Sequence, residues 1–141
     1  PITVKGSYLC RDNKLISLKG CPFEINGEFN CSHNKLKTLD GVVIVRGTLN
    51  CEGNKLITLK SSLEYVDGNL LVTASLTDLE SNLKYIGGEI IHTSSTKIAG
   101  FESYYEGEEM RFPKEVMNSI LLEKKLKNQL PETKSSKKMK I

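Results

Sequence analysis

The chain has 141 residues, of which 38% are hydrophobic and 26% charged, with a formal net charge of +3. Those figures describe one globular domain with a tail and exclude two full domains. No apolar run approaches the ~20 residues that span a bilayer, and no charged-then-apolar leader opens the chain, so a cytoplasmic protein with no membrane partner is the expectation.

The charge is unevenly placed. Residues 1–112 carry 12 Lys and Arg against 14 Asp and Glu, whereas residues 113–141 carry 8 Lys against 3 Glu. Attraction to an anionic partner would concentrate in that C-terminal segment.

In chain order, the first feature is a returning phrase. It reads CRDNKLISL from Cys10, CSHNKLKTL from Cys31, CEGNKLITL from Cys51 and VTASLTDL from Val72. A weaker copy starts at His92 and closes with Ile98 and Phe101. A glycine lies four residues before each start, at Gly6, Gly27, Gly47, Gly68 and Gly88, with spacings of 21, 20, 21 and 20. A near-constant period of this length marks stacked coils.

Within each copy, apolar residues alternate with period two: Tyr8/Cys10, Phe29/Cys31, Leu49/Cys51, Leu70/Val72 and Ile90/His92. That is strand patterning with one face inward. A β-branched residue precedes each glycine by two (Val4, Ile25, Val45, Val66, Ile86), and leucine pairs follow the turn (Leu15/Leu18, Leu36/Leu39, Leu56/Leu59, Leu76/Leu79). A further inward position is assigned to Pro22, Val43, Leu63 and Leu83. The pattern predicts a β-rich solenoid over residues 1–101, a parallel sheet of about five coils with one strand from each. Extended or tight-turn segments return the chain, and Pro1–Lys5 form a minimal N-terminal cap.

Cys10, Cys31 and Cys51 share one repeat position, which Val72 and His92 fill later; Cys21 stands apart. Val in the slot points to small buried volume, and free Cys suits it. No C-x₂-C pair is present, so neither a metal centre nor a cofactor is expected, and the cysteines read as reduced structural thiols. Asn13, Asn34 and Asn54 follow the strand where the chain bends inward. A buried Asn there can satisfy backbone groups of adjacent coils.

The pattern F-x-C-x-x-N-x-L resembles the leucine-rich-repeat consensus LxLxxNxL over residues 4–101. The N-x-L-x-x-L ending is similar to the compact bacterial type. The glycine-led, cysteine-containing version also resembles small repeat proteins of tailed bacteriophages. The resemblance implies a leucine-rich-repeat-like fold, a ladder role for the three asparagines, and partner binding on the outer strand face. The family's additional leucine slot holds Lys5, Asn26, Arg46, Asp67 and Gly87 here, which argues against a helical convex side.

After the repeats, Glu102–Met110 is acidic and aromatic and reads as a loop or short strand. Pro113 suits a helix start and Pro131 a stop. Val116, Met117, Ile120 and Leu121 form one apolar face, and Leu122, Leu126 and Leu130 a second, rotated stripe. Residues 102–131 are therefore a C-terminal cap with an α-helix. The second stripe is surplus that could dock a partner or a second copy. Residues 132–141 are a basic flexible tail.

Candidate surfaces follow from the repeat. Leu9, Asn30, Asn50, Leu71 and Ile91 form an outward strand column proposed for partner binding. Flanking columns are Ser7, Glu28, Thr48, Asn69, Glu89 and Arg11, Ser32, Glu52, Thr73, Thr93. Lys14, Lys35 and Lys55 make a basic column, and Lys124, Lys125, Lys127, Lys137, Lys138 and Lys140 a basic tail, both able to meet phosphate. His33 and His92 lack the partners of a catalytic set, so no enzyme is expected.

The expected function is a non-catalytic protein–protein interaction module. The phage resemblance implies a host-directed effector that binds and inhibits a bacterial protein. The alternatives are an accessory structural protein of the phage particle, with a place in the virion, and a nucleic-acid-associated accessory protein using the basic segment. Oligomeric state is left open.

Overall fold

The computed structural model describes residues 2–129. Leu130, Lys137, Lys138 and Lys140 lie outside the described residues. The chain winds as a β-solenoid with parallel sheets, closed at its C-terminal end by a hairpin and one helix.

Each coil contributes two short strands, not the single strand expected. The first sheet stacks β1 (Thr3–Val4), β3 (Glu24–Ile25), β5 (Ile44–Val45), β7 (Tyr65–Val66) and β9 (Tyr85–Ile86), all parallel. The second stacks β2 (Tyr8–Leu9), β4 (Phe29–Asn30), β6 (Leu49–Asn50), β8 (Leu70–Val72) and β10 (Ile90–Thr93) in the same manner. Successive strand pairs make four complete turns. Because Thr3–Val4 form β1, the N-terminal segment belongs to the first coil and caps nothing.

The corner between the two sheets explains the glycines. Gly27 donates its N–H to the Gly6 carbonyl (3.0 Å), Gly47 to Gly27 (3.1 Å) and Gly68 to Gly47 (3.0 Å). A Cβ built on Gly47 would lie 2.8 Å from the Gly27 carbonyl, and one on Gly68 2.8 Å from that of Gly47. Coils can approach to sheet spacing at this bend only without side chains.

Inside, like residues pile into columns. Phe29, Leu49, Leu70 and Ile90 are buried, as are Cys31, Cys51, Val72 and His92, and the paired leucines from Leu36 to Leu79. A further inward column is Pro22, Val42, Leu63 and Leu83, with Val42 in place of the expected Val43. Val43 points outward and its N–H bonds to the Phe23 carbonyl one coil below (3.0 Å).

The asparagine ladder forms. Asn34 Oδ1 accepts from the N–H groups of Asn13 (2.8 Å) and Leu15 (2.9 Å), while its Nδ2 donates to the Cys10 and Cys31 carbonyls (3.1 and 3.0 Å). Asn54 Oδ1 accepts from Leu36 N–H (2.9 Å), and Nδ2 donates to the Cys31 and Cys51 carbonyls (3.0 and 2.9 Å). Each amide thus staples the turns of neighbouring coils. One coil on, hydroxyls take over: Thr73 Oγ1 donates to the Asn54 carbonyl (2.7 Å) and Ser75 Oγ to the Leu56 carbonyl (2.5 Å).

The C-terminal end is closed in two halves. The segment expected to be loop or short strand is a 3₁₀ turn (Glu102–Tyr104) and a hairpin, β11 (Tyr105–Glu106) and β12 (Glu109–Phe112). Strand β12 runs antiparallel along β10 and covers the edge of the second sheet. Phe101, Tyr104 and Phe112 pack edge to face at ring centroid separations of 5.1 and 4.7 Å.

Helix α1 (Lys114–Gln129) covers β9, the edge of the first sheet. Asn118 closes that edge as a peptide group would, accepting from Ile86 N–H (3.1 Å) and donating to Ile86 C=O (2.8 Å). Of the four residues expected on its packing face, Met117 and Leu121 are buried, whereas Val116 and Ile120 are exposed.

Candidate functional site

The outward strand column exists as read. Leu9, Asn30, Asn50, Leu71 and Ile91 stand in register across β2 to β10, and Arg111 of β12 extends the row. Its asparagines are engaged locally: Asn30 Oδ1 accepts from Ser32 N–H and Oγ–H, and Asn50 Oδ1 from Glu52 N–H. Leu9 is exposed, and Leu71 and Ile91 are half-buried.

One flanking column departs from the expectation. Ser32 and Thr73 are buried, because the chain has already begun its inward turn there. Their hydroxyls serve Asn30 Oδ1 and the Asn54 carbonyl.

Lys14, Lys35 and Lys55 are all exposed at one corner of the coil. The corner is tight: Asp12, His33 and Gly53, each two residues before its lysine, have φ of 57°, 55° and 70°. Lys35 and Lys55 donate their backbone N–H groups to the Leu15 and Leu36 carbonyls of the preceding coil. The side chains project into solvent, three like charges about one strand spacing apart.

The four cysteines are free thiols. Burial pushes Cys51 up to about 12 and raises Cys31 further, and it raises Cys10 as well. Burial, with Cys10 nearby, lifts Cys21 to about 11. As neutral thiols they act as small apolar side chains and are poor nucleophiles. Among the described residues, no three His, Cys, Asp or Glu side chains converge as a metal site would require.

His92 fills the inward slot of the last coil. Its Nδ1 lies 2.8 Å from the Tyr105 hydroxyl, which also accepts from Ile98 N–H (2.9 Å). Which of the two donates to the other depends on the ring's tautomer. Nε2 is buried without a hydrogen-bond partner among the described residues. Burial holds the His92 pKa below its ordinary value, with the Ala74 backbone opposing.

A concavity lies where neither column is. A groove of about 850 Å³ runs between the C-terminal half of α1 and the corner and outer face of coils four and five. Tyr65 and Tyr85, register neighbours on β7 and β9, form one wall with Leu83. Leu122, Lys125 and Asn128 of α1 form the other. Lys124 ties the helix to the coil by donating to the Ser81 carbonyl (2.9 Å), and Lys84 pairs with Glu64 at 3.4 Å.

Leu122 and Leu126, both of the second helical stripe, are 55% and 53% exposed. Lys127 is exposed one position beyond. The tyrosines escaped the sequence reading because their column (Thr3, Glu24, Ile44, Tyr65, Tyr85) faces outward from a sheet that was not expected. The pairing of an aromatic with the next inward β-branched residue, Tyr65-Val66 and Tyr85-Ile86, was the available signal.

Comparison with family models, with curated proteins and with solved structures finds no match for this chain. No helix among the described residues is long and apolar enough to cross a membrane.

Proposed function

We propose that this protein is a non-catalytic interaction module that binds a protein partner at the groove beside α1. The observation that carries the reading is the surplus helical stripe. Leu122 and Leu126 stay exposed although the helix has a sheet to pack on, and Leu122 lines the groove together with Tyr85. Tyrosines and aliphatics in a concavity are the composition of an interface centre. Lys124 and Lys125 line it beside the paired Lys84 and Glu64, a net positive rim that suits an acidic segment with an apolar anchor.

The resemblance to small phage repeat proteins makes the proposed partner a bacterial host protein that is inhibited, or a component of a phage particle. Leu9, Leu71 and Ile91 are a second candidate surface of the same kind. A nucleic-acid role through Lys124, Lys125, Lys127 and residues 132–141 is the competing class.

Affinity capture from bacterial lysate, followed by titration with the purified captured protein, tests the reading. Leu122→Asp with Tyr85→Ser should weaken binding at least ~10-fold, and Leu71→Asp with Ile91→Asp should not. The reverse outcome moves the site to the strand column. Binding that disappears with added salt and with deletion of residues 132–141, while tolerating both apolar variants, refutes the protein-binding reading in favour of phosphate contact.

A further inference from the structure

The two ends of the solenoid are unlike. At the N-terminal end, β1 and β2 have no outer neighbour among the described residues. The three most exposed large hydrophobic side chains among the described residues, Ile16 (75%), Ile2 (67%) and Leu9 (65%), all belong to this first coil. Tyr8, Cys10 and Leu15 are only partly covered, although Phe29, Cys31 and Leu36 one coil on are fully buried. Tyr8 and Cys10 direct their N–H groups to Glu28 and Asn30 of the second coil (2.8 and 2.9 Å). Strand alternation then turns the Leu9 N–H and C=O outward.

At the other end, β11 has no outer neighbour among the described residues. Strand β11 is antiparallel to β12, which is antiparallel to β10. Two reversals leave β11 running in the direction of every coil strand, β2 included. The register carries through as well. Tyr105 stands in line with Met110 and His92, so it continues the inward column that begins at Cys10. Glu106 stands in line with Glu109 and Thr93, and continues the row that begins at Arg11.

Charge completes the match. Lys5, Arg11, Lys14 and Lys19 outnumber Asp12 in the first coil, for a net +3. Glu102, Glu106, Glu108 and Glu109 outnumber Arg111 in the hairpin segment 102–112, for a net −3.

We propose that this chain assembles head to tail with copies of itself: Cys10–Arg11 of one copy, which continue β2 in ladder geometry, add in parallel beside β11 of the next. Arg11, whose guanidinium now folds back on Asp12 in solvent (2.8 Å), then meets Glu106. A head-to-tail contact does not close on itself, so the product is an open-ended stack. The paired strands are two residues long and supply few hydrogen bonds, so opposite charge sets the affinity and salt weakens it. A two-fold contact through two β2 edges would instead set Arg11 and Lys14 against their own kind.

Sedimentation of the full chain across concentration tests this. The average mass should climb past the dimer without a plateau and fall when salt is added. Arg11→Glu and Glu106→Arg each reverse one side of the junction at an exposed position, so circular dichroism should be unchanged. Each variant alone should associate at least ~10-fold more weakly. An equimolar mixture of the two should recover the wild-type mass, since every junction then joins opposite charges. A protein that stays monomeric throughout, one that stops at the dimer, or a Glu106→Arg variant that associates like the wild type overturns the proposal.

Discussion

Three chemically identical residues, Asn13, Asn34 and Asn54, make unequal demands on the fold, and their alanine variants test the ladder. Asn54 is buried. Its removal strips Leu36 N–H of its acceptor and the Cys51 carbonyl of its amide donor, while the Cys31 carbonyl keeps Asn34. Two buried polar groups left unpaired cost about 1–3 kcal/mol each, so Asn54→Ala should lose roughly 2–6 kcal/mol, a large share of the ~5–15 kcal/mol that holds a domain together.

Asn34→Ala frees the N–H groups of Asn13 and Leu15. Both lie in the first coil, where water can reach them, so about 1–3 kcal/mol is expected. Asn13 is exposed and donates only to the Cys10 carbonyl, which Asn34 also serves; its variant should stay within ~0.5 kcal/mol of the wild type. The chain has no tryptophan, so urea unfolding followed by far-ultraviolet circular dichroism is the assay. Equal losses at the three positions, or the order reversed, would refute the account of the amides as inter-coil staples.

The glycine column should show a comparable contrast. Gly47→Ala drives a Cβ to 2.8 Å from the Gly27 carbonyl and should cost about 1–3 kcal/mol, whereas Gly6→Ala meets nothing within 4 Å and should be neutral or slightly stabilising; the same urea titrations decide it. The burial that lowers the His92 pKa makes the unfolded chain the better proton binder below its ordinary value of ~6.5. Stability should hold above that pH and fall as pH drops from ~6.5 towards the folded-state pKa. His92→Val should flatten that segment of the stability–pH profile, and an unchanged slope would show that another group titrates there.

What the sequence reveals about this fold depends on whether a position repeats. Cys31, Cys51, Val72 and His92 occupy one slot at a fixed spacing, so their shared inward orientation could be read from any one of them. The same holds for Asn34 and Asn54, whose spacing alone sets them one above the other. Two-residue strands carry no alternation to read, and so the sheet through Ile25, Val45, Val66 and Ile86 was hidden behind its glycines. Val42 and Val43 are adjacent and chemically equal, and only the coil geometry chooses between them.

The end of the solenoid was the least legible part, because it answers to what the coils leave uncovered. Strand β12 takes the edge of the second sheet and buries Met110 and Phe112. The helix is left with one edge strand to cover instead of the whole end. Met117 and Leu121 suffice for that, with Asn118 closing the backbone of Ile86 across 32 residues of sequence. Val116, Ile120, Leu122 and Leu126 therefore remain exposed, and the groove against Tyr85 follows from that division of labour rather than from any local pattern in α1. The hairpin that displaces the helix also turns β11 back into the direction of the coils, and the proposed head-to-tail assembly rests on that reversal.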